Sequence, residues 1–415
     1  MIKPSPIRKS AGTDCFAVNR NISLAQRSVF VLALSQALSM TGAGIVMLVT
    51  GLAGAYLAAD ERLATLPLAM QFVATMVATF PAALCMKRFG RRIGFTLGQL
   101  VGVCGGLVSC LALVEARFDF FIAGAALLGV HNAFWGYYRF AAAEASLPEK
   151  RAKAISLVMA GGILSAVAAP ELSKVTRDLF SPLTFAGCYA AIAVLALLTA
   201  FLLQAAIFKK PALQSSQHNK NARPLTEIIC QPKFIVAATA AMIGYGVMIL
   251  VMSATPLAMA DCGFAFEDAA FVIQFHALAM FGPSFFTGIL IRKVGVVRVI
   301  SAGIVCNIAC MASNVSGVEL ENFWFGLIAL GLGWNFMFIG GTTLLTDTYR
   351  PSEREKSQAA NDFLVFATIS VATFSSGVLQ NGFGWIAVNG AMVAPLLLAA
   401  AALFWLVKLN RADAK

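Results

Sequence analysis

A chain of 415 residues that is 59% hydrophobic and only 12% charged cannot be an ordinary soluble domain, in which about a quarter of the residues are charged. Its surplus apolar surface requires lipid. Its net charge of +11 does not require nucleic acid, because the basic clusters lack the interleaved aromatics of a nucleic-acid module.

A helix needs roughly 20 apolar residues to cross a bilayer, and twelve stretches qualify. In chain order they run over 28–57, 65–86, 93–114, 118–144, 152–172 and 180–208, then 233–258, 266–291, 297–315, 322–348, 357–380 and 384–407. The final boundary rests on Gly382 and Trp385. There are no alternating segments of about ten residues such as a membrane barrel uses. The pattern predicts an all-α membrane protein of two six-helix bundles, 28–208 and 233–407. Between them, 209–232 is polar, contains Pro211 and Pro224, and reads as a linker. Residues 1–27 and 408–415 are the tails.

Put residues 1–27 and every second loop in the cytoplasm, and all but five of the 31 Lys and Arg collect there. The five are Arg139, near the inner end of the fourth span, and Arg62, Arg117, Lys174 and Arg177. This asymmetry predicts a multi-pass protein of the bacterial inner membrane with both termini cytoplasmic. The basic N-terminal stretch leads directly into a full-length span, so no removable signal peptide is expected. The nine Cys are scattered, in no spacing that suits a metal or a disulfide framework.

The halves repeat. A shift of 203 residues carries Asn132 onto Asn335, Glu144 onto Asp347, Pro148 onto Pro351, Arg151 onto Arg354 and Lys153 onto Lys356. A shift of 205 carries Lys87-Arg88-Phe89-Gly90 onto Arg292-Lys293-Val294-Gly295. Two related apolar halves around a polar hinge mark a secondary transporter with its site between them. No phosphate-binding Gly-rich loop, zinc-protease motif or Ser-His-Asp cluster occurs, so neither ATP hydrolysis nor another enzymatic activity is expected, and no cofactor or metal.

The site residues are sought among polar and aromatic groups at mid-depth, since an unpaired amide in hydrocarbon is costly. In the fourth span His131, Trp135 and Tyr138 share one helical face, and Asn132 and Arg139 lie on the adjoining one. The tenth span offers Trp334 and Asn335, the first Gln36 and Met40, the second Gln71, the seventh Tyr245 and the eighth His276. The expected substrate-binding set is His131, Asn132, Trp135, Tyr138, Trp334, Asn335, Gln36, Tyr245 and His276. The alternative for each is interhelical hydrogen bonding. Aromatic faces with amide and imidazole groups suit a flat, uncharged, hydrogen-bonding ring. A strong anion would want several mid-depth cations, and a cationic drug a mid-depth carboxylate. For proton coupling the imidazoles of His131 and His276 are the groups able to titrate near neutrality, and facilitated diffusion stays open.

The turn Lys87-Arg88-Phe89-Gly90-Arg91-Arg92 resembles the loop motif of the major facilitator superfamily, Gly-x-Leu-x-Asp-Arg-x-Gly-Arg-Arg. Lys87 stands where the family has Asp, and Ala83 where it has Gly. The resemblance covers the whole chain. It implies three-helix repeats within each half, a cavity lined chiefly by spans one, four, seven and ten, and access alternating by rocking of the halves. It also implies a cytoplasmic gate network. With Lys87 in place of the acid, the gating set becomes Arg88, Gly90, Arg91, Arg92, Arg139, Glu144, Asp347, Arg354 and Asp362. Glu144 and Asp347 replace the missing carboxylate, and Arg139 is expected to pair with Glu144.

A closer resemblance rests on Tyr137-Tyr138-Arg139-Phe140-Ala141-Ala142-Ala143-Glu144, Phe281-Gly282-Pro283-Ser284-Phe285, Gly331-Leu332-Gly333-Trp334-Asn335-Phe336 and Gln358-Ala359-Ala360-Asn361-Asp362. These look like a bacterial branch of the superfamily that includes riboflavin transporters, and the isoalloxazine ring is flat and rich in hydrogen-bonding groups. The implied function is alternating-access transport of a small polar planar solute, with riboflavin uptake the single best expectation. The implied unit is a monomer in the lipid bilayer. The alternatives are a multidrug or metabolite exporter of the same fold, and a membrane receptor or sensor that binds without transporting.

Overall fold

In the computed structural model, which describes residues 11–146, 154, 157–208, 223–350 and 353–412, ten helices are long and apolar enough to cross a membrane. Two breaks bring the spans to twelve. The apolar stretch Lys356–Asn410 is 55 residues long, roughly 80 Å as one helix and far more than a bilayer needs. It is divided at Gly384, where φ is +78°, a backbone that glycine adopts without strain. That break lies between Gly382 and Trp385, where the sequence predicts the boundary. Conversely, Phe266–Phe281 and Ser284–Val294 are two helices bent by 44° that together make one span, the eighth. The bend falls at Pro283, which has no N–H to donate and follows Gly282.

The fourth span, predicted as one helix, is likewise interrupted. Phe118–Trp135 ends at Gly136, and Tyr138–Ala145 follows. The first helix begins at Ala11, well ahead of its apolar part. The end of the linker is ordered as a short helix, Leu225–Ile229, where the sequence predicts irregular chain. Linker positions 209–222 and the repeat positions Pro148, Arg151, Lys153 and Pro351 lie outside the described residues.

Neighbour relations repeat across the halves. The first span packs on the fifth and sixth, the second on the fourth, and the third on the fourth and sixth. The seventh packs on the eleventh and twelfth, the eighth on the tenth, and the ninth on the tenth and twelfth; the seventh also packs closely on the tenth, a contact that is slight between the first and fourth. The turns repeat as well: Gly90 and Gly295, both with φ near +90°, end the second and eighth spans and start the third and ninth. The halves meet where the second span lies on the eleventh, the fifth on the eighth and the first on the seventh.

The two ends of the bundle differ. At the end opposite the basic loops the halves are bolted together. Thr65 Oγ1 donates to the Phe374 carbonyl at 3.4 Å and accepts from the Gly377 N–H at 3.1 Å. Asn381 Nδ2 donates to the Glu61 carbonyl at 2.5 Å. The Arg177 guanidinium lies 5.0 Å from the Phe266 ring and 3.9 Å from Glu267, both in the other half. Toward the basic end, Arg139 and Asp362 are exposed although both sit inside apolar spans.

One charge cluster at the basic end is buried. Glu353 is fully buried and accepts from the Arg223 backbone N–H, from Arg223 Nε and Nη2, and from the Arg350 N–H. Lys356 Nζ donates to the Arg223 carbonyl. The end of the linker is thereby fastened to the loop between spans ten and eleven. The Arg223 hydrogen bond, then that of the Arg350 N–H, holds the Glu353 carboxyl well below the usual carboxylate range. A depressed pKa adds stability above the unfolded value, near 4.3, that fades as pH falls below it. Glu353→Gln should therefore melt a few degrees below wild type at neutral pH, with the gap narrowing in melts taken below about pH 4. An equal gap at every pH would refute the role of the charge.

Candidate functional site

The mid-depth residues fall into two groups. The first is a narrow cleft inside the first half, lined by Ser39, Gln71, His131, Asn132 and apolar residues of spans one, four and six. Asn132 is partly buried, and its Oδ1 accepts from Trp135 Nε1 at 2.9 Å. His131 is 5% exposed, and its Nδ1 lies 3.0 Å from the Gly98 carbonyl. Gly102 makes room for the ring, since a Cβ there would come within 2.7 Å of Nδ1.

The second group is aromatic and belongs to the other half. Trp334 stacks on Phe338 with centroids 5.2 Å apart and planes 12° apart. Tyr245 stands edge-on to both, at 5.5 and 5.3 Å, and Phe281 closes the group 6.1 Å from Trp334. Phe281 reaches the first half, where it and Met40 lie against Gly162. Trp334 is 7% exposed, yet its Nε1–H, like those of Trp324 and Trp385, has no hydrogen-bond partner among the described residues. A buried indole N–H normally finds one.

Arg139 sits one turn beyond Trp135 in the first half, and Asp362 lies in the eleventh span of the other, where it accepts from Asn361 at 3.2 Å. The expected Arg139–Glu144 pair does not form. Glu144 is held by Arg91, Nε to Oε2 at 2.7 Å, and the Arg139 guanidinium lies over the Phe140 ring at 4.8 Å. Arg92 donates to the Ala206 carbonyl at 2.7 Å, and Arg88 lies over Phe89. The loop after the second span is thus tied to spans four and six of its own half. Asp347 and Arg354 are exposed. Asp347 lacks the counterpart of Arg91 because the repeat puts Val296 there.

Four more expected site residues lie in packing. Tyr138 is fully buried, hydrogen-bonded to Gln99 at 2.6 Å and edge-on to Phe95 at 4.8 Å. Asn335 is fully buried too. Its Nδ2 donates to the Met280 carbonyl at 2.7 Å and to Ser284 Oγ at 2.8 Å, while its Oδ1 accepts from Thr287 at 2.6 Å. It replaces helix bonds lost at the Pro283 break, so the repeat places Asn132 and Asn335 alike in sequence but not in use. His276 is buried between spans eight and ten, its Nδ1 2.8 Å from the Leu327 carbonyl and its Nε2 unpartnered among the described residues. Gln36 is buried in the first span, outside the cleft lining. Among the described residues no cluster of His, Cys, Asp and Glu could hold a metal ion.

Residues 32–373 match the family profile of the Major Facilitator Superfamily. The chain belongs to the major facilitator superfamily. It is 39% identical over 368 residues to the riboflavin transporter RfnT of Brucella anthropi, a match covering 88% of this chain and 92% of that one. It is 28% identical over 393 residues to YdeG, an uncharacterized transporter of this type from Bacillus subtilis, covering 91% of each. The fold is also that of a bacterial homologue of the lysosomal transporter Spinster in an inward-facing conformation, with TM-score 0.71, 15% identity, and coverage of 92% and 96%. The xylose transporter XylE of E. coli, partially occluded and inward open, gives TM-score 0.66 at 12% identity, with coverage of 90% and 97%. Superfamily members are transporters, so this chain is a multi-span membrane transporter.

Proposed function

We propose that this transporter carries riboflavin into the cell, with the basic end of the bundle in the cytoplasm. The observation that carries the reading is the Trp334, Phe338 and Tyr245 group, which offers stacked and edge-on faces and an unpartnered buried N–H. A planar solute with acceptors at its rim satisfies both features. The 39% identity to a riboflavin transporter favours the same solute. On this reading the bolted end faces outward, and the space between the halves opens to the cytoplasm past Arg139 and Asp362. As the halves rock, these two opposite charges approach each other across that space. The residues acting on the solute are Asn132, Trp135 and His131 from one half and Trp334 and Tyr245 from the other.

Growth of a riboflavin-auxotrophic bacterium without its own importer, on low external riboflavin, tests the reading. Rescue by the wild type is the expected result. No rescue, with the protein verified in the membrane, removes riboflavin uptake. Release of preloaded solute from cells, with no uptake, would instead mark an exporter.

A further inference from the structure

The cleft in the first half holds an amide with nothing to bind. Gln71 is 3% exposed and lines the cleft, and its Oε1 is buried with no hydrogen-bond partner among the described residues. Its backbone carbonyl is occupied, accepting from Thr75 at 2.9 Å. The side chain is therefore not needed to hold the second span, and leaving a buried acceptor unpaired is costly. Close by in the lining is His131. Its Nδ1 must carry the proton, because the Gly98 carbonyl opposite can only accept. In the neutral ring Nε2 is then a lone-pair acceptor as well. Of the remaining polar groups in the lining, Asn132 Oδ1 already accepts from Trp135, and Ser39 Oγ accepts from Gln99.

The lining thus presents two unused acceptors, from spans two and four, beside the Nε2 donor of the same Gln71 amide. A pair of acceptors recognises an N–H. We propose that Gln71 and His131 form the specificity edge of the transport site, reading an imide or amide N–H of the solute. This rests on the riboflavin reading, in which the imide N–H of the isoalloxazine ring would be the group read, while the indole N–H of Trp334 serves the acceptors of the ring. Gln71 is then a specificity-determining residue and not a packing amide.

The test compares uptake into proteoliposomes of riboflavin and of riboflavin methylated at the imide nitrogen. Wild type should carry the methylated flavin at about a tenth of the riboflavin rate or less. Gln71→Met keeps length and removes the acceptor. It should slow riboflavin severalfold, leave the methylated flavin little changed, and bring the two rates within about twofold of each other. Equal rates in wild type would leave riboflavin carriage standing and overturn the acceptor edge, whatever Gln71→Met does. A wild-type preference that persists undiminished in folded Gln71→Met would overturn the assignment to Gln71. No flux of either flavin in wild type would overturn the riboflavin reading and the edge with it.

Discussion

Trp334→Phe should carry riboflavin about tenfold more slowly than wild type, with a comparable amount of folded protein in the membrane. Phe keeps an aromatic face toward Phe338 and Tyr245. It deletes the Nε1–H, which has no partner among the described residues, together with the fused ring that carries it. Removing a buried donor that pairs with nothing relieves the folded state of a desolvation cost, which offsets part of the packing lost with the smaller ring. Removing the donor that a solute acceptor would use forfeits about 1–1.5 kcal/mol, or roughly tenfold in affinity. A group that merely packs would show the reverse, lower stability with unchanged flux per molecule. Uptake per folded transporter, with abundance from a fluorescence-detected size-exclusion profile, separates the two. Trp334→Ala is the less informative variant, because emptying an aromatic site of that size costs about 3–5 kcal/mol of stability by itself.

The fold was legible in the sequence because its determinants are local and redundant. Each span declares itself by an apolar run, each loop at the basic end by its cations, and Gly90 and Gly295 by their place after a basic turn. Even the boundary between the last two spans has a local mark, since few residues other than glycine take the φ of Gly384. The site was legible only in part. Depth along a helix can be read from sequence, but which neighbour a side chain turns toward cannot. Tyr138, Asn335 and His276 stand at the right depth and turn into the packing between spans. Asn335 could have been suspected from the Gly282-Pro283 pair in the facing span, because a broken helix needs a substitute donor and an amide supplies one. The Glu353–Arg223 cluster left no local signal, being formed by positions 130 apart. Glu144 found Arg91 and not Arg139 for the same reason: the Arg139 guanidinium turns over the Phe140 ring, while the loop brings Arg91 to the helix end.

The repeat-related asparagines give the sharpest division between carriage and folding. Asn335→Ala should destabilise the protein, and Asn132→Ala should not. Truncating Asn335 leaves the Met280 carbonyl without its donor and removes partners from Ser284 and Thr287, all next to the break in the eighth span. A hydrogen bond broken between helices of a membrane protein costs about 0.6–1.7 kcal/mol. Breaking these bonds together should lower the melting temperature and the amount recovered from membranes. The molecules that do fold should still transport, because Asn335 touches nothing in the cleft. Asn132 makes one side-chain bond, to the neighbouring Trp135, and lines the cleft. Its truncation should leave the melting temperature within a degree or two and cut uptake at low riboflavin, by freeing the Trp135 ring and removing an amide from the wall. The two readouts must separate in opposite directions. If Asn335→Ala melts like wild type and fails to transport, then the eighth-span break is held by something else and Asn335 belongs to the solute. If Asn132→Ala loses stability and keeps its flux, the cleft in the first half is packing and the solute rests on the aromatic group alone.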